Sequence, residues 1–425
     1  MKHKRKPISV ISAPVVRRRS RRHWFRWLIG VPLLVTAGYA AFFALASLRV
    51  SYPLAGPAEE PDAIMGAFHV HSTRSDGRSS PEEIARAARA AGLRFVVLSD
   101  HNPADAPRPR FEEGVLLIFG SELSTPAGHL VAVGASRALT REEREGDPFG
   151  TVARLGGYSF IAHPEQWKQP WTDWQAARAA TGLELYSADS MLRTAQEDPL
   201  TVLAPSVAAY AANPSHGLLT LVRAQPVVTQ RLLELNSERQ VTALCAHDAH
   251  GIPGYEEEFR VLSLYLPRAP DGSTSLPKDP EAAARRVLDD LASGRAWCGF
   301  RAIAPAGDFG IAGVSETQRE AFGGDTLRLQ LPRSGPREIE VRVEGPASLL
   351  ADGRSVRLDR PGAVQIEVWA RVPGMFFQDG WKPWIVPSPI RVIERPPREP
   401  SPGPGSGEVA GEGGPPAGAS IDAVP

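Results

Sequence analysis

The sequence predicts an α/β protein of barrel construction, preceded by one transmembrane helix and followed by a small all-β, sandwich-like domain. Three observations lead there. Short apolar runs alternate with helix-patterned segments over residues 63–304, the sequence form of parallel β/α units. A stretch near the N-terminus, residues 27–48, carries no charged side chain. Beyond residue 305 apolar and polar residues alternate with a period of two between turn residues, which is the pattern of half-buried strands.

The chain of 425 residues is long enough for a large core and more than one domain. Lysine plus arginine equals aspartate plus glutamate at 48 each, so no global basic field exists and nucleic acid is not an expected partner. Two cysteines, Cys245 and Cys298, are too few for a disulfide framework or a Cys-rich zinc site. A single disulfide between them is one reading; two buried free thiols is the preferred one.

Taken in order, residues 1–26 form a basic tail with ten Lys/Arg and no acid. Residues 27–48 follow as a transmembrane helix: 22 residues at about 1.5 Å each cross a bilayer core of about 30 Å. The arginines before it predict a cytoplasmic N-terminus, with the remainder of the chain extracytoplasmic (periplasmic). The competing expectation is export with cleavage, since "ALA" at 44–46 has the form of a signal-peptidase site and "SRRHWF" at 20–25 that of a twin-arginine signal. Residues 49–62, with Pro53, Pro57 and Pro61, read as an extended linker.

Within 63–304 the expected strands are 64–69, 94–99, 115–121, 129–134, 158–162, 183–187 and 241–246. Between the first two, Ser80 as N-cap, Pro81 at the first helical position and Glu83 completing a capping box start a helix that Gly92 stops. Asp279, Pro280 and Gly294 frame a second helix in the same way. Residues 305–395 read as the β-sandwich-like domain. The Pro-, Gly- and Ser-rich tail 396–425 reads as disordered.

In a β/α barrel the chemistry sits at the carboxyl ends of the strands. Those ends carry His69, His71 and then Asp76; Asp100 and His101; Glu122; His163; Glu184; and His247, Asp248 and His250, while His129 opens its own strand. Seven of the ten histidines fall at these positions. Unpaired acids and imidazoles converging on one rim need a cation to offset their desolvation, so the "HVH" pair belongs to a metal cluster. Mixed His/carboxylate donors suit divalent zinc, manganese or iron.

The segments "FHVHSTRSDG", "LSDHN", "GSELS", "GHLVAVG", "AHPEQW" and "DAHG" resemble the PHP (polymerase and histidinol phosphatase) superfamily of metallophosphoesterases over about residues 63–300. The resemblance implies a distorted (β/α)7 barrel with a trinuclear site. It implies His69, His71, Glu122 and Asp248 around one ion, Glu122, His129 and His163 around a second, and Asp76, His101 and His250 around a third. The expected activity is hydrolysis of a small-molecule phosphoester. The β-rich tail ending in "WIVPSPIRV" resembles, by layout, the CehA/McbA branch of metallohydrolases, which implies a carbamate, ester or amide substrate as the alternative. A third reading is a non-catalytic, membrane-anchored binding or sensing module with structural metals.

Two further residues are read as catalytic candidates. Asp100 would orient His101, against a turn or capping role. His247 would contact substrate, against packing behind its strand. Glu184 is either a second carboxylate behind the ligands or the polar face of a strand. Trp167, Trp171 and Trp174 form a lid or pocket wall, against simple aromatic packing under a loop.

Overall fold

The computed structural model describes residues 21–54, 64–269, 271–315 and 319–396. The basic tail up to residue 20, the linker from 55 to 63 and the tail from 397 onward lie outside the described residues.

Helix α1 (Arg21–Ser47) is the segment expected to span a membrane, and Arg26–Ser47 is long and apolar enough to do so. Its first half is exposed at Trp27, Leu33, Leu34 and Val35. Its last turns do not stand apart as the sequence implied. Phe43 and Ser47 are buried, and the Asn213 side chain donates to the carbonyls of Ser47 and Val50 at 3.0 and 2.9 Å. Phe42 and Phe43 also meet Phe376 and Phe377, with ring centroids 4.9 and 5.7 Å apart.

The α/β body begins with β1 (Ile64–Val70), every residue of which is buried. Helix α2 (Pro81–Ala90) starts as its capping box dictates: the Ser80 hydroxyl accepts from the Glu83 backbone while Glu83 accepts from the Ser80 backbone. Then come β2 (Phe95–Leu98), β3 (Arg110–Glu112), β4 (Val115–Phe119), β5 (Ser121–Thr125), β6 (Gly128–Val133), α3 (Arg141–Gly146), α4 (Pro148–Arg154), β7 (Tyr158–Ile161) and β8 (Gly182–Ser187). A helical insert follows: α5 (Ala188–Thr194), α6 (Ala204–Ala212), α7 (Pro214–Leu221) and α8 (Pro226–Glu238). The body closes with β9 (Thr242–Ala246), α9 (Tyr255–Val261), β10 (Ser263–Leu266), α10 (Pro280–Ala292, capped by Asp279) and β11 (Trp297–Gly299).

These strands do not form one closed barrel. One sheet runs β5-β6-β7-β8-β9; β1, β2, β3, β4, β10 and β11 belong to a larger one. Two seams at strand ends join the sheets. Beside β1, the His71 amide donates to Ala249 O at 2.9 Å and the His247 amide to Phe68 O at 3.0 Å. Beside β2, the Asn102 amide donates to Glu122 O at 3.0 Å. The candidate site residues occupy these two seams.

The β-rich tail is continuous with the body, where the sequence suggested a boundary at 304/305. Its strands are β12 (Gly310–Ala312), β13 (Glu320–Phe322), β14 (Thr326–Gln330), β15 (Ile339–Glu344), β16 (Ala347–Leu349), β17 (Ser355–Leu358), β18 (Gly362–Arg371), β19 (Trp381–Pro387) and β20 (Ile390–Ile393). Strand β19 pairs with β11 through Cys298↔Val386, which extends the larger sheet to eleven strands. The four-stranded sheet β12-β14-β17-β16 covers part of it over a separate core that includes Leu327, Leu329, Val356, Val364 and Ile366, so the sandwich expected there is built in part from the body's own sheet.

The preferred reading of the cysteines is corrected. Cys245 on β9 and Cys298 on β11 are fully buried and bonded to each other as a disulfide, with Cα atoms 5.7 Å apart. It ties the five-stranded sheet to the larger one.

Candidate metal centre

His69, near the end of β1, and His71, just beyond it, face the same point although the backbone at His69 is left-handed and breaks the strand's alternation. Their Nε2 atoms converge with Glu122 Oε2 and Asp248 Oδ1. His69 Nε2 lies 3.3 Å from Glu122 Oε2 and 3.4 Å from Asp248 Oδ1; the corresponding distances for His71 are 3.3 and 3.1 Å. All four side chains are buried.

Glu122 sits at the centre because β5, absent from the expected strand set, forms a hairpin with β6 that places Glu122 and His129 together. Its turn needs Gly128: φ is +136° and an added Cβ would stand 3.1 Å from the Trp171 ring. The Glu122 carboxylate divides its two oxygens. Oε2 faces His69, His71 and, at 3.1 Å, His101 Nδ1. Oε1 faces His129 Nδ1 at 2.6 Å and His163 Nε2 at 2.9 Å.

A third group gathers at the exposed side. Asp76 Oδ2 lies 3.6 Å from His101 Nε2 and 3.4 Å from His250 Nε2, and Asp76 Oδ1 lies 3.4 Å from His71 Nδ1. The Asp76 loop folds over His71 because residue 77 is glycine; a Cβ there would stand 2.2 Å from the His71 carbonyl oxygen. All nine expected ligand residues are therefore brought together. The grouping differs in detail: donor atoms of His71 join the Asp76, His101 and His250 set within 4.8 Å, and His101 lies within that distance of Glu122 and His129.

Three of these residues hold left-handed backbone conformations, with φ of 62° at His69, 29° at His163 and 51° at Asp248. Such conformations cost of order 1–3 kcal/mol each and persist where surrounding structure imposes them for a function.

The electrostatics are those of a cation site filled by protons. Burial pushes the His69 pKa down, but Glu184, Asp248 and Glu122 outweigh it and hold His69 well above its usual range. His71, opposed by the same burial, is raised to about 9 by the nearby Asp248 and Glu122 carboxylates. Burial would raise Glu122 and Asp248, yet the imidazoles around them hold both below the usual carboxylate range. His69 Nε2, His71 Nε2 and Glu122 Oε2 are buried without a hydrogen-bond partner. Three orphaned donor atoms aimed at one point fit a divalent cation, which would repay their desolvation.

Of the two catalytic candidates read from the sequence, Asp100 takes its loop-holding alternative and His247 lies behind the converging donors. Asp100 does not orient His101: its Oδ1 accepts from the Ser72 amide at 2.8 Å and the Ser75 hydroxyl at 2.7 Å, and its Oδ2 from the Ser72 hydroxyl at 2.8 Å. Asp100 therefore fixes the loop that carries His71 and Asp76. His247 faces away from the converging donors, between Phe68 O at 3.3 Å and Leu262 O at 3.0 Å, with its ring edge-on to Phe259. Burial lowers its pKa to about 4, and its ring borders the cleft that Asp248 and His250 also line. Glu184 takes the orienting role instead. Its Oε1 accepts from His69 Nδ1 at 2.6 Å and its Oε2 from the His163 amide at 2.7 Å.

Of the tryptophans, Trp171 is buried and stacks edge-on to Phe149, whereas Trp167 is half-exposed and Trp174 lies under the Arg231 guanidinium. All three border an open cleft that reaches His163 and Glu184.

No protein-family model matches the sequence, and no curated protein does. Solved structures do. The chain resembles PHP-like metal-dependent phosphoesterases. A two-domain protein from Bacteroides vulgatus containing a predicted PHP-like metal-dependent phosphoesterase is 16% identical, with a TM-score of 0.36 over 73% of this chain and 92% of its own. PsfC from Pseudomonas syringae is 13% identical, with a TM-score of 0.32 over 57% of this chain and 93% of its own. A predicted metal-dependent phosphoesterase from Bifidobacterium adolescentis is 14% identical, with a TM-score of 0.27 over 44% of this chain and 87% of its own.

Proposed function

We propose that the chain is a metal-dependent hydrolase that cleaves a small-molecule phosphoester. The observation that carries the reading is the convergence of His69 Nε2, His71 Nε2 and Glu122 Oε2, buried and without partners, on one point shared with Asp248. His69, His71, Glu122 and Asp248 would hold one ion, Glu122 with His129 and His163 a second, and Asp76, His101 and His250 a third. Divalent zinc, manganese or iron bound there would lower the pKa of water and neutralise charge building on a phosphoryl group.

The chain's own residues prepare that chemistry. Glu184 fixes the His69 ring so that Nε2 faces inward, and Asp100 holds the loop that presents His71 and Asp76. His101 and His250 keep roughly a quarter to a third of their side chains exposed, at 31% and 26%, so the third group is the one substrate meets first.

The site is read as extracytoplasmic and tethered through α1, with the arginine-rich segment left in the cytoplasm. The buried Cys245–Cys298 disulfide supports that side, since oxidising compartments are where such bonds persist.

The test is elemental analysis of the full chain in detergent, paired with hydrolysis of aryl phosphate mono- and diesters and, in parallel, aryl carbamates. Two to three metal equivalents with phosphoester turnover are expected, and Asp248→Ala and His163→Ala should lose metal and turnover together. Turnover retained in both variants, or turnover of carbamates alone, would refute the proposal.

A further inference from the structure

Asp248 and His250 also line a second, narrower cleft, a cavity of about 50 Å3 that is partly open to solvent. Its other walls are nearly all apolar: Met191 and Leu192 from α5, Leu218 and Leu221 from α7, Leu262 after α9 and Phe300 after β11. Two acids and the buried His247 interrupt them. Asp189 is paired with Arg193. Glu258 is only 6% exposed, and its Oε2 has no hydrogen-bond partner.

An apolar wall that reaches the metal-binding residues is a poor place for a wholly polar substrate, because polar groups moved there lose water without replacement. A small hydrocarbon group is favoured there by the same logic, at about 25 cal/mol for each Å2 it removes from water. The cleft shares Asp248 and His250 with the proposed centre, so a group esterified to a phosphoryl held at that centre is within reach of it.

We propose that this cleft is the subsite for the uncharged organic part of the substrate, and that the substrate is a phosphoester of a compact apolar alcohol with a short alkyl chain. The inference rests on the phosphoester reading and narrows it. Glu258 adds a polar point to the wall. Burial pushes its carboxyl well above the usual range, so it offers an O–H that can donate to an oxygen on the organic group. Water adds across the P–O bond, and the apolar alcohol leaves carrying the proton.

The test uses full-length, metal-reconstituted protein and n-alkyl phosphonates from methyl to octyl, whose P–C bond is not hydrolysed. Calorimetric Kd values are expected to tighten about fourfold for each methylene that enters the cleft, then level off once it is full. The kcat/KM values for n-alkyl phosphates should follow the same curve, since leaving-group basicity changes little along that series. Ala188→Phe narrows the cleft and should abolish the gain with chain length, with metal content reporting that the variant is folded.

A flat Kd series in the unaltered protein overturns the subsite and leaves aryl phosphate turnover to stand by itself. A chain-length gain that survives in folded Ala188→Phe also overturns it. Binding that tightens with chain length, without hydrolysis of any phosphoester, upholds the subsite and overturns the phosphoester reading.

Discussion

Glu184→Gln is the substitution that most directly separates an orienting role from a merely structural one. The carboxylate makes two contacts of opposite reach, Oε1 to His69 Nδ1 at 2.6 Å and Oε2 to the His163 amide at 2.7 Å, and both partners are donors. A glutamine has one acceptor to offer. If its oxygen stays with His163, its amide N–H faces the His69 Nδ1–H and the imidazole must turn or change tautomer. Either change takes the Nε2 lone pair away from the point it shares with Glu122 and Asp248. A charge-assisted hydrogen bond of this kind contributes about 1.5–3 kcal/mol. Partners that orient ligands typically account for roughly 10- to 100-fold in metal affinity, which is about 1.4–2.7 kcal/mol. The two estimates agree. The expected result is a 10- to 100-fold weaker metal Kd, measured by competition with a chelator of known affinity. Activity should be largely recovered at saturating metal, because the water-facing ligands are untouched. A metal Kd within twofold of the unaltered protein would refute the argument, since it would mean that His69 needs no external orientation.

Three further outcomes follow from other parts of the molecule. Metal and protons compete for the same atoms, so metal affinity should rise with pH up to about 9, where His71 loses its proton. The sign for stability is the reverse in metal-free protein. The raised pKa of His71 stabilises the fold fully below 6.5, and that contribution is lost as pH climbs through about 9. Chelated protein should therefore melt lower at pH 9 than at pH 6.5, and equal melting temperatures would count against protonated His71. The disulfide closes a loop spanning 53 residues. On the chain-entropy estimate its removal in Cys245→Ser costs about 4 kcal/mol, or roughly 5 °C in Tm. Detection of two free thiols in unreduced, denatured protein would sink that prediction. Finally, His247→Gln should lose about 1–3 kcal/mol of stability while kcat changes only severalfold. Loss of kcat by orders of magnitude in a folded, metal-loaded variant would return His247 to a catalytic role.

Where the sequence was legible, the signal was local. Ser80, Pro81 and Glu83 announce α2 within four residues, and the structure makes the reciprocal capping bonds. The convergence of the candidate-centre residues was legible for a related reason: polar groups at the ends of apolar runs are costly unless something binds them. What was missed depends on partners distant in sequence. Strands β10 and β11 have only four and three residues, too few for periodicity to speak. Their membership in the sheet comes from pairing with β1 and β19, and Cys298↔Val386 joins residues nearly ninety positions apart. The buried disulfide was missed likewise, because nothing local brings β9 beside β11.

The two catalytic candidates were open to better reasoning from sequence alone. Successive residues of an extended chain point to opposite sides, so the neighbour of a ligand is the residue least able to orient it. Asp100 precedes His101 and His247 precedes Asp248; each faces away from its neighbour's site, Asp100 into the Ser72–Ser75 loop and His247 toward the Leu262 carbonyl. A carboxylate that orients a ligand has to arrive from a different strand with its inward face matched. Glu184 meets that condition from β8, contacting His69 on β1 and the amide of His163 after β7. The hydrogen bonds therefore commit Asp100 to its loop and leave Glu184 to hold His69 and His163.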